Sequence, residues 1–277
     1  MNYRFGLIGY PIKHSLSPWI HEQFFKRTDL DGTYSIFEIE KQISFAEEMK
    51  KLRKIKLDGF NVTVPYKVKI IDFLDEMDEQ AKQIGAVNTV LCKNGKWIGY
   101  NTDGIGYMRS LLSYYPDLDK SNDKRILILG SGGAAKGIFY ALIHNGYRNI
   151  TIANRSMDKA KQLSSNVPSG VAISLQQAEQ TVNHYDLIIQ TTSVGMKPNE
   201  NSSIIPLRSL KENAIVSDIV YQPIMTAFLK EADALHSNIH LGHTMLLYQA
   251  QYAFEIWTGK RPKMEELDQA LQKILEG

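Results

Sequence analysis

Along the chain, short runs rich in β-branched and aromatic residues alternate with stretches whose apolar positions return every three or four residues. FGLIG (5–9) precedes SPWIHEQFFKR (17–27), TYSIFEI (33–39) precedes SFAEEMKKLRKIK (44–56), and FNVTV (60–64) precedes KVKIIDFLDEMDEQAKQIG (67–85). Such alternation predicts a mainly parallel sheet covered by helices. Residues 88–93 and 96–102 flank Asn94-Gly95, the signature of a two-residue hairpin turn. After the polar stretch YYPDLDKSNDKR (114–125), a second alternating series opens with RILIL (125–129) and predicts a second α/β domain. The final stretch, from MLLYQAQYAFEIW onward, has a helical period, which alone does not say where it docks.

Composition narrows the picture. The 277 residues suit two domains of ordinary size, and 43% hydrophobic content is ample for their cores. Lys and Arg number 32 against 30 Asp and Glu, so no strong overall field gathers nucleic acid or a membrane. KKLRKIK (50–56) reads as the solvated side of an amphipathic helix, with Leu52 and Ile55 on its buried side. Cys92 is the single cysteine, which excludes an internal disulfide and a cysteine-built metal site and fits a reducing cytoplasm. No signal peptide or membrane span is expected from the N-terminal MNYRFGLIGYPIKHS or elsewhere.

The second series begins with a nucleotide motif. The strand at 125–129 runs into Gly130-Ser131-Gly132-Gly133-Ala134-Ala135, a match to G-x-G-x-x-G/A at a strand-to-helix turn. Gly130 permits the tight turn, Gly132 lets backbone approach a pyrophosphate, and a small residue at 135 lets the helix pack on the strand. Free N–H groups at the helix start then face phosphates. The next strand, TIANRSMDK (151–159), reaches Asn154 24 residues after Gly130, where an NAD enzyme offers a carboxylate to the ribose. Here Asn154 and Ser156 offer neutral polar groups, and Arg155 and Lys159 offer positive charge. A 2′-phosphate satisfies that set, which predicts NADP. The alternative is an arginine on a solvated strand end.

Four pieces of the first domain are candidates for substrate chemistry. In HSLSP (14–18), Pro18 suits the first helical position and Ser17 the cap before it. Ser15 and Ser17 beside that helix start suit a carboxylate, although ordinary capping also explains Ser17, and His14 reads as structural. In GFNVTVPYK (59–67), Asn61 and Thr63 share a strand face and Pro65 stops the strand, leaving Lys67 just past its carboxyl end, where ligands of open α/β sheets collect. A lysine there can donate a proton to an oxygen gaining charge; read alone, it is a surface cation. The hairpin supplies the last two pieces. Lys93 opposite Lys96 places Asn88 opposite Asn101 and brings Asp103 diagonally beside Asn88. Asp103 either caps the helix from Gly104 to Leu112 or holds Lys67 charged and oriented while accepting a substrate hydroxyl.

HSLSP, GFNVTVPYK, GAVNT (85–89), GYNTDG (99–104), GSGGAAKG, NRSMDK, TTSVGM (191–196) and GHTMLLYQ…FEIWTG together resemble the shikimate dehydrogenase family over essentially the whole length. That resemblance implies a two-domain α/β enzyme with its active site in the cleft between the domains. The substrate-binding domain is expected over 1–103, completed by 241–277, and a Rossmann NADP-binding domain over 104–240. It also implies reversible NADPH-dependent reduction of 3-dehydroshikimate to shikimate on the route to aromatic amino acids; a cytoplasmic monomer or homodimer is expected, with no metal because the lysine ammonium supplies the charge. Lys67 becomes the acid/base and Asp103 its partner. Ser15 and Ser17 hold the carboxylate. Thr63, Asn88, Asp103 and Gln249 bind ring hydroxyls, with Tyr221 of IVYQP close by. On the cofactor side the match implies Gly130, Ser131, Gly132, Gly133, Ala134, Asn154, Arg155, Ser156, Lys159, Ile219 and Gly242, with Glu79 in addition. LGHTM (241–245) departs from the family, whose members often carry further small residues there. A broader quinate/shikimate dehydrogenase is the alternative activity, and a non-catalytic NADP-binding sensor is the rival from another class; the basic 154–159 cluster argues against NAD use, and the Lys67 and Asp103 pair against a sensor.

Overall fold

The computed structural model describes residues 2–120 and 123–277; Met1, and Ser121 and Asn122 of the polar 114–125 stretch, lie outside it. The chain divides into two compact units, Met1–Asp103 with Gln249–Met264, and Gly104–Tyr248 with Glu265–Gly277.

The first unit holds six strands, β1 (Asn2–Gly9), β2 (Asp31–Glu38), β3 (Gly59–Val62), β4 (Glu76–Met77), β5 (Thr89–Lys93) and β6 (Lys96–Tyr100), with helices α1 (Ser17–Thr28), α2 (Phe45–Ile55) and α3 (Glu79–Ile84). Their order is β2-β1-β3-β5-β6-β4. β1 pairs in parallel with both β2 and β3, and β4 with β6, whereas β5 runs antiparallel to both of its neighbours, so the sheet is mixed. The β5–β6 hairpin has the anticipated register, Lys93 opposite Lys96, and Asn94 and Gly95 both take positive φ, as its two-residue turn demands. The helical pattern over 67–85 is broken. A 3-10 turn spans Lys69–Phe73, Glu76–Met77 pair with Ile98–Gly99 as a strand, and Asp78 accepts the Gln80 N–H to start a fresh helix. On α2, Leu52 is buried while Lys50, Lys51, Arg53 and Lys54 are exposed, as is Lys56 at its C-cap. Phe60, Val62, Ile70, Val87, Val90 and Trp97 share one core. Phe5, Phe25, Phe254 and Trp257 form a separate aromatic cluster with ring centroids 4.4–6.1 Å apart. Full burial of such a ring contributes about 1.5–3 kcal/mol, which accounts for the attachment of residues 249–264 to this unit.

The second unit carries β7 (Ile126–Leu129), β8 (Ile150–Ala153), β9 (Val171–Ile173), β10 (Leu187–Gln190), β11 (Ile215–Asp218) and β12 (Asn238–His240). All pair in parallel in the order β12-β11-β10-β7-β8-β9, the doubly wound dinucleotide-binding arrangement. Buried on both faces, the four central strands β7, β8, β10 and β11 are mostly apolar, with ILIL of β7 a continuous run. The helices are α4 (Asp103–Tyr114), α5 (Gly133–His144), α6 (Met157–Ser164), α7 (Leu175–Thr181), α8 (Ala227–Ala234), α9 (Gly242–Thr258) and α10 (Leu267–Glu276). The tail is shared rather than belonging whole to the first unit. The first turns of α9 up to Tyr248, with Met245 in the core of Tyr107, Leu111 and Phe139, and all of α10 pack in the second unit. Among the described residues no helix is long and apolar enough to cross a membrane.

Candidate active site

Topology brings the polar residues of the first unit together. β5 is antiparallel to β3 and β6, so the amino end of β5 lies beside the carboxyl ends of both. Lys67 follows the end of β3, Asn88 precedes β5, and Asp103 follows β6 as the first residue of α4. The main chain fixes each in turn: Val87 N–H donates to Lys67 O at 2.8 Å, Asn88 N–H to Tyr100 O at 3.1 Å, and Asp103 N–H to the Asn101 side-chain oxygen at 3.1 Å.

Their side chains meet. Lys67 Nζ lies 2.7 Å from Asp103 Oδ2, and Asn88 Nδ2 donates to Asp103 Oδ1 at 2.8 Å. The orientation of the Asn88 amide follows from an unambiguous donor, since Thr102 N–H reaches its Oδ1 at 2.8 Å and leaves Nδ2 for Asp103. Both carboxylate oxygens therefore accept, which holds the ammonium by a charge-assisted bond. Lys67 remains 30% exposed and Asp103 11%, so the couple is fixed from within and open on the lysine side.

Behind it lies a buried polar layer to which the sequence patterns assign no role. Tyr34 Oη donates to Asn61 Oδ1 at 2.8 Å, and Asn61 Nδ2 reaches Asn88 O at 3.2 Å and Thr89 Oγ1 at 3.0 Å. Thr89 Oγ1 in turn donates to Asn88 Oδ1 at 3.0 Å. Asn61 thus supports Asn88 from inside. The pairing of Asn61 with Thr89 across β3 and β5 is the signal that reveals this, and the sequence gives β5 no neighbour beyond its hairpin. Tyr34 stacks on His21 with centroids 4.4 Å apart. Burial lowers the His21 pKa to about 3, partly opposed by the nearby Asn61 amide, with neither ring nitrogen in hydrogen-bond geometry.

Ser15 and Ser17 are half-buried neighbours, Oγ to Oγ 3.2 Å apart. Helix α1 starts one residue earlier than the capping pattern indicates. Leu16 sits at the cap without a side-chain bond, Ser17 is the first helical residue, and Ser15 Oγ accepts the Ser17 N–H at 3.3 Å. The Ser17 hydroxyl is therefore not used as a cap. His14 is exposed, and Thr63 is half-buried with its methyl against Gly9. Gln249 Oε1 accepts from Thr102 Oγ1 at 3.5 Å. Glu79 opens α3, is 73% exposed and pairs with Lys82 at 3.2 Å, and among the described residues no contact links it to the other candidates.

In the second unit the glycine turn lies at the carboxyl end of β7. Gly130 has φ +117°, and a Cβ there would lie 2.6 Å from Thr191 Oγ1, so only glycine fits beneath the 191–192 loop. Ala135 is fully buried. At Gly132 and Gly133 a Cβ would meet nothing within 4 Å, so no internal packing requires glycine there; the open backbone at the start of α5 fits a pyrophosphate. Beyond β8, Asn154 Nδ2 donates to Ser156 O at 3.1 Å, and Ser156 stands at the cap of α6 with no side-chain cap bond. Arg155 and Lys159 are exposed, and among the described residues neither forms an ion pair; the nearest acid in sequence is Asp158 in the first turn of α6. A 2′-phosphate fits this donor set.

β11 ends in Asp218, 1% exposed. It accepts from Val220 N–H at 2.9 Å, Gln190 Nε2 at 3.3 Å and Thr226 Oγ1 at 2.7 Å. Burial pushes its pKa up to about 7 against those three bonds. It anchors the loop bearing Ile219 and Tyr221, and burial also raises the Tyr221 pKa. Gly242 opens α9 directly on that loop: a Cβ would lie 2.5 Å from Val220 O and 2.7 Å from Ile219 O.

Three family descriptions match the chain in succession: "Shikimate dehydrogenase substrate binding domain" over 7–90, "Shikimate / quinate 5-dehydrogenase" over 116–220, and "Shikimate 5'-dehydrogenase C-terminal domain" over 242–272. The curated shikimate dehydrogenase (NADP(+)) of Oceanobacillus iheyensis is 55% identical over 271 residues, 98% of each chain. The chain belongs to the shikimate dehydrogenase family. Among solved structures, the family member from Thermus thermophilus in complex with NADP(H) and shikimate superposes with a TM-score of 0.87 at 30% identity, covering 98% of this chain and 99% of that one. A quinate dehydrogenase from Corynebacterium glutamicum in complex with NAD superposes at 0.89 with 26% identity, covering 99% and 100%.

Proposed function

We propose that the chain is an NADP-dependent shikimate dehydrogenase, reducing 3-dehydroshikimate reversibly to shikimate on the route to chorismate and the aromatic amino acids. The observation that carries this reading is the Lys67–Asp103 couple, 2.7 Å apart and braced by Asn88. NADPH supplies the hydride for the C3 carbonyl. Lys67 gives its proton to the oxygen that gains charge, and Asp103 holds the lysine ammonium in place while accepting a substrate hydroxyl. Ser15 and Ser17 take the substrate carboxylate; Thr63, Asn88, Tyr221 and Gln249 take the ring and its hydroxyls. The glycine turn holds the pyrophosphate, Asn154, Arg155, Ser156 and Lys159 the 2′-phosphate, and Ile219 and Gly242 the nicotinamide end. Glu79 is a further contact on the cofactor side. The enzyme acts in the cytoplasm as a monomer or homodimer, with residues 1–103 and the 249–264 part of the tail as its substrate domain.

A four-way assay tests the reading: shikimate or quinate, with NADP or NAD, followed by absorbance of the reduced cofactor. Turnover of shikimate with NADP at a kcat/KM at least about tenfold above the other three combinations supports it. Equal use of quinate would make the enzyme the broader quinate/shikimate type, and no turnover in any combination would refute catalysis.

A further inference from the structure

His240, the last residue of β12, is 2% exposed and has both ring nitrogens engaged. Nδ1 lies 2.9 Å from Ser217 Oγ on β11, and Nε2 lies 2.7 Å from Ser110 Oγ on α4. The surrounding bonds fix where the protons are. Thr244 Oγ1 donates to the Leu241 carbonyl at 2.7 Å, so it can only accept from Ser110, whose hydroxyl reaches it at 2.5 Å. Ser110 must then accept from the ring, which puts the ring proton on Nε2 and leaves Nδ1 to accept from Ser217. A one-directional chain results: Ser217 to His240, His240 to Ser110, Ser110 to Thr244, Thr244 to Leu241 O. A charged imidazolium would reverse the first link, and burial, aided by the neighbouring His243, holds the ring neutral with its pKa lowered to about 3. The edges of Tyr107 and Tyr114 close around it, with centroids 5.6 and 6.0 Å away.

The two ends of this chain lie beside cofactor-side backbone. Ser217 is two residues before Ile219, and Leu241 is the residue before Gly242, which is itself seated on the Ile219 and Val220 carbonyls. We infer that His240 is a positioning residue for the cofactor: through its oriented chain it holds the first turn of α9 against β11 and so sets the backbone at Ile219 and Gly242. This rests on the proposed NADP-dependent reading for the role of those two residues. Within LGHTM, Thr244 is 1% exposed and turned inward to Ser110 and His240.

Three measurements test the inference, two of them independent of turnover. In the wild-type protein, ¹⁵N–¹H correlation spectra of His240 should show the neutral Nε2–H tautomer unchanged from about pH 5 to about pH 9; an Nδ1–H or titrating ring would overturn the chain. Calorimetric titration with NADP should show affinity about tenfold weaker in Ser110→Ala and His240→Ala, and largely restored in His240→Gln, whose amide N–H can replace Nε2–H. The KM for shikimate should stay within about twofold in all three variants. Unchanged NADP affinity with only a lowered thermal midpoint would reduce His240 to a purely structural residue. Because NADP binding is read directly, a wrong substrate assignment shows as wild-type inactivity and does not mimic either result.

Discussion

The substitution Asp218→Asn should stabilise the protein at alkaline pH and do so less as the pH falls. The carboxyl is 1% exposed, and its pKa is raised from 3.8 to about 7, first by burial. Between those values the folded protein binds more protons than the unfolded chain, so this group's contribution to stability declines as pH rises from about 4 to about 7. At about 1.4 kcal/mol per tenfold, the total is about 4 kcal/mol, of which about 2–3 kcal/mol develops between about pH 5 and pH 8. An asparagine keeps the shape. Its Oδ1 can accept from Val220 and Gln190, and its Nδ2 can donate to Thr226, so the cost of a buried charge goes while the loop keeps its tethers. The difference between the Asp218→Asn variant and wild type, rather than either curve alone, isolates the effect, because Asp75 and Asp186 have lowered pKa values and move stability in the opposite sense. Differential scanning calorimetry at about pH 5 and about pH 8 should show that difference growing by roughly 5–10 °C toward high pH, at about 2–4 °C per kcal/mol. A difference constant to within about 1 °C would mean that the three donors keep Asp218 ionised throughout and that burial does not dominate.

Arg155→Ala should raise the KM for NADP by roughly tenfold to a hundredfold, the worth of a lost charge-assisted phosphate contact, and leave the KM for NAD nearly unchanged in steady-state assays. Equal weakening of both would remove Arg155 from the 2′-phosphate. Asp103→Asn sets an amide N–H₂ against either Lys67 or Asn88, whose own amide is locked by Thr102 N–H. The loss of a charge-assisted bond, about 1.5–3 kcal/mol, should lower kcat by roughly tenfold to a hundredfold; activity within about threefold of wild type would show that Lys67 needs no carboxylate.

Legibility follows the range of the determining interactions. The hairpin register is readable because Asn94-Gly95 sets it within two residues, and with it comes the Asn88–Asp103 contact. The glycine turn is readable because its backbone needs are local, a positive φ at Gly130 and an open helix start at Gly132, whereas the Thr191 contact that also excludes a side chain at Gly130 is not. Pairings between distant strands are not. Strand alternation puts Asn61 on a face with Thr63, but its commitment to Tyr34, Thr89 and Asn88 depends on β3 meeting β5 in antiparallel register, which no local pattern signals. The helical period across 67–85 misleads for the same reason, since β4 exists only through its partner β6. The start of α1 slips by one residue because Ser15, rather than Ser17, supplies the oxygen for the first free N–H. The tail divides between the two units because α9 is 17 residues long and buries different residues along its length, Met245 early and Phe254 and Trp257 late.

The most direct test of the central claim, that Lys67 is the proton donor held by Asp103, is Lys67→Ala measured for turnover with NADP and for shikimate binding by calorimetry. In that variant kcat should fall by about a hundredfold or more while the shikimate Kd stays within about threefold. Turnover near the wild-type rate, or lost turnover that only follows lost shikimate binding, would contradict it.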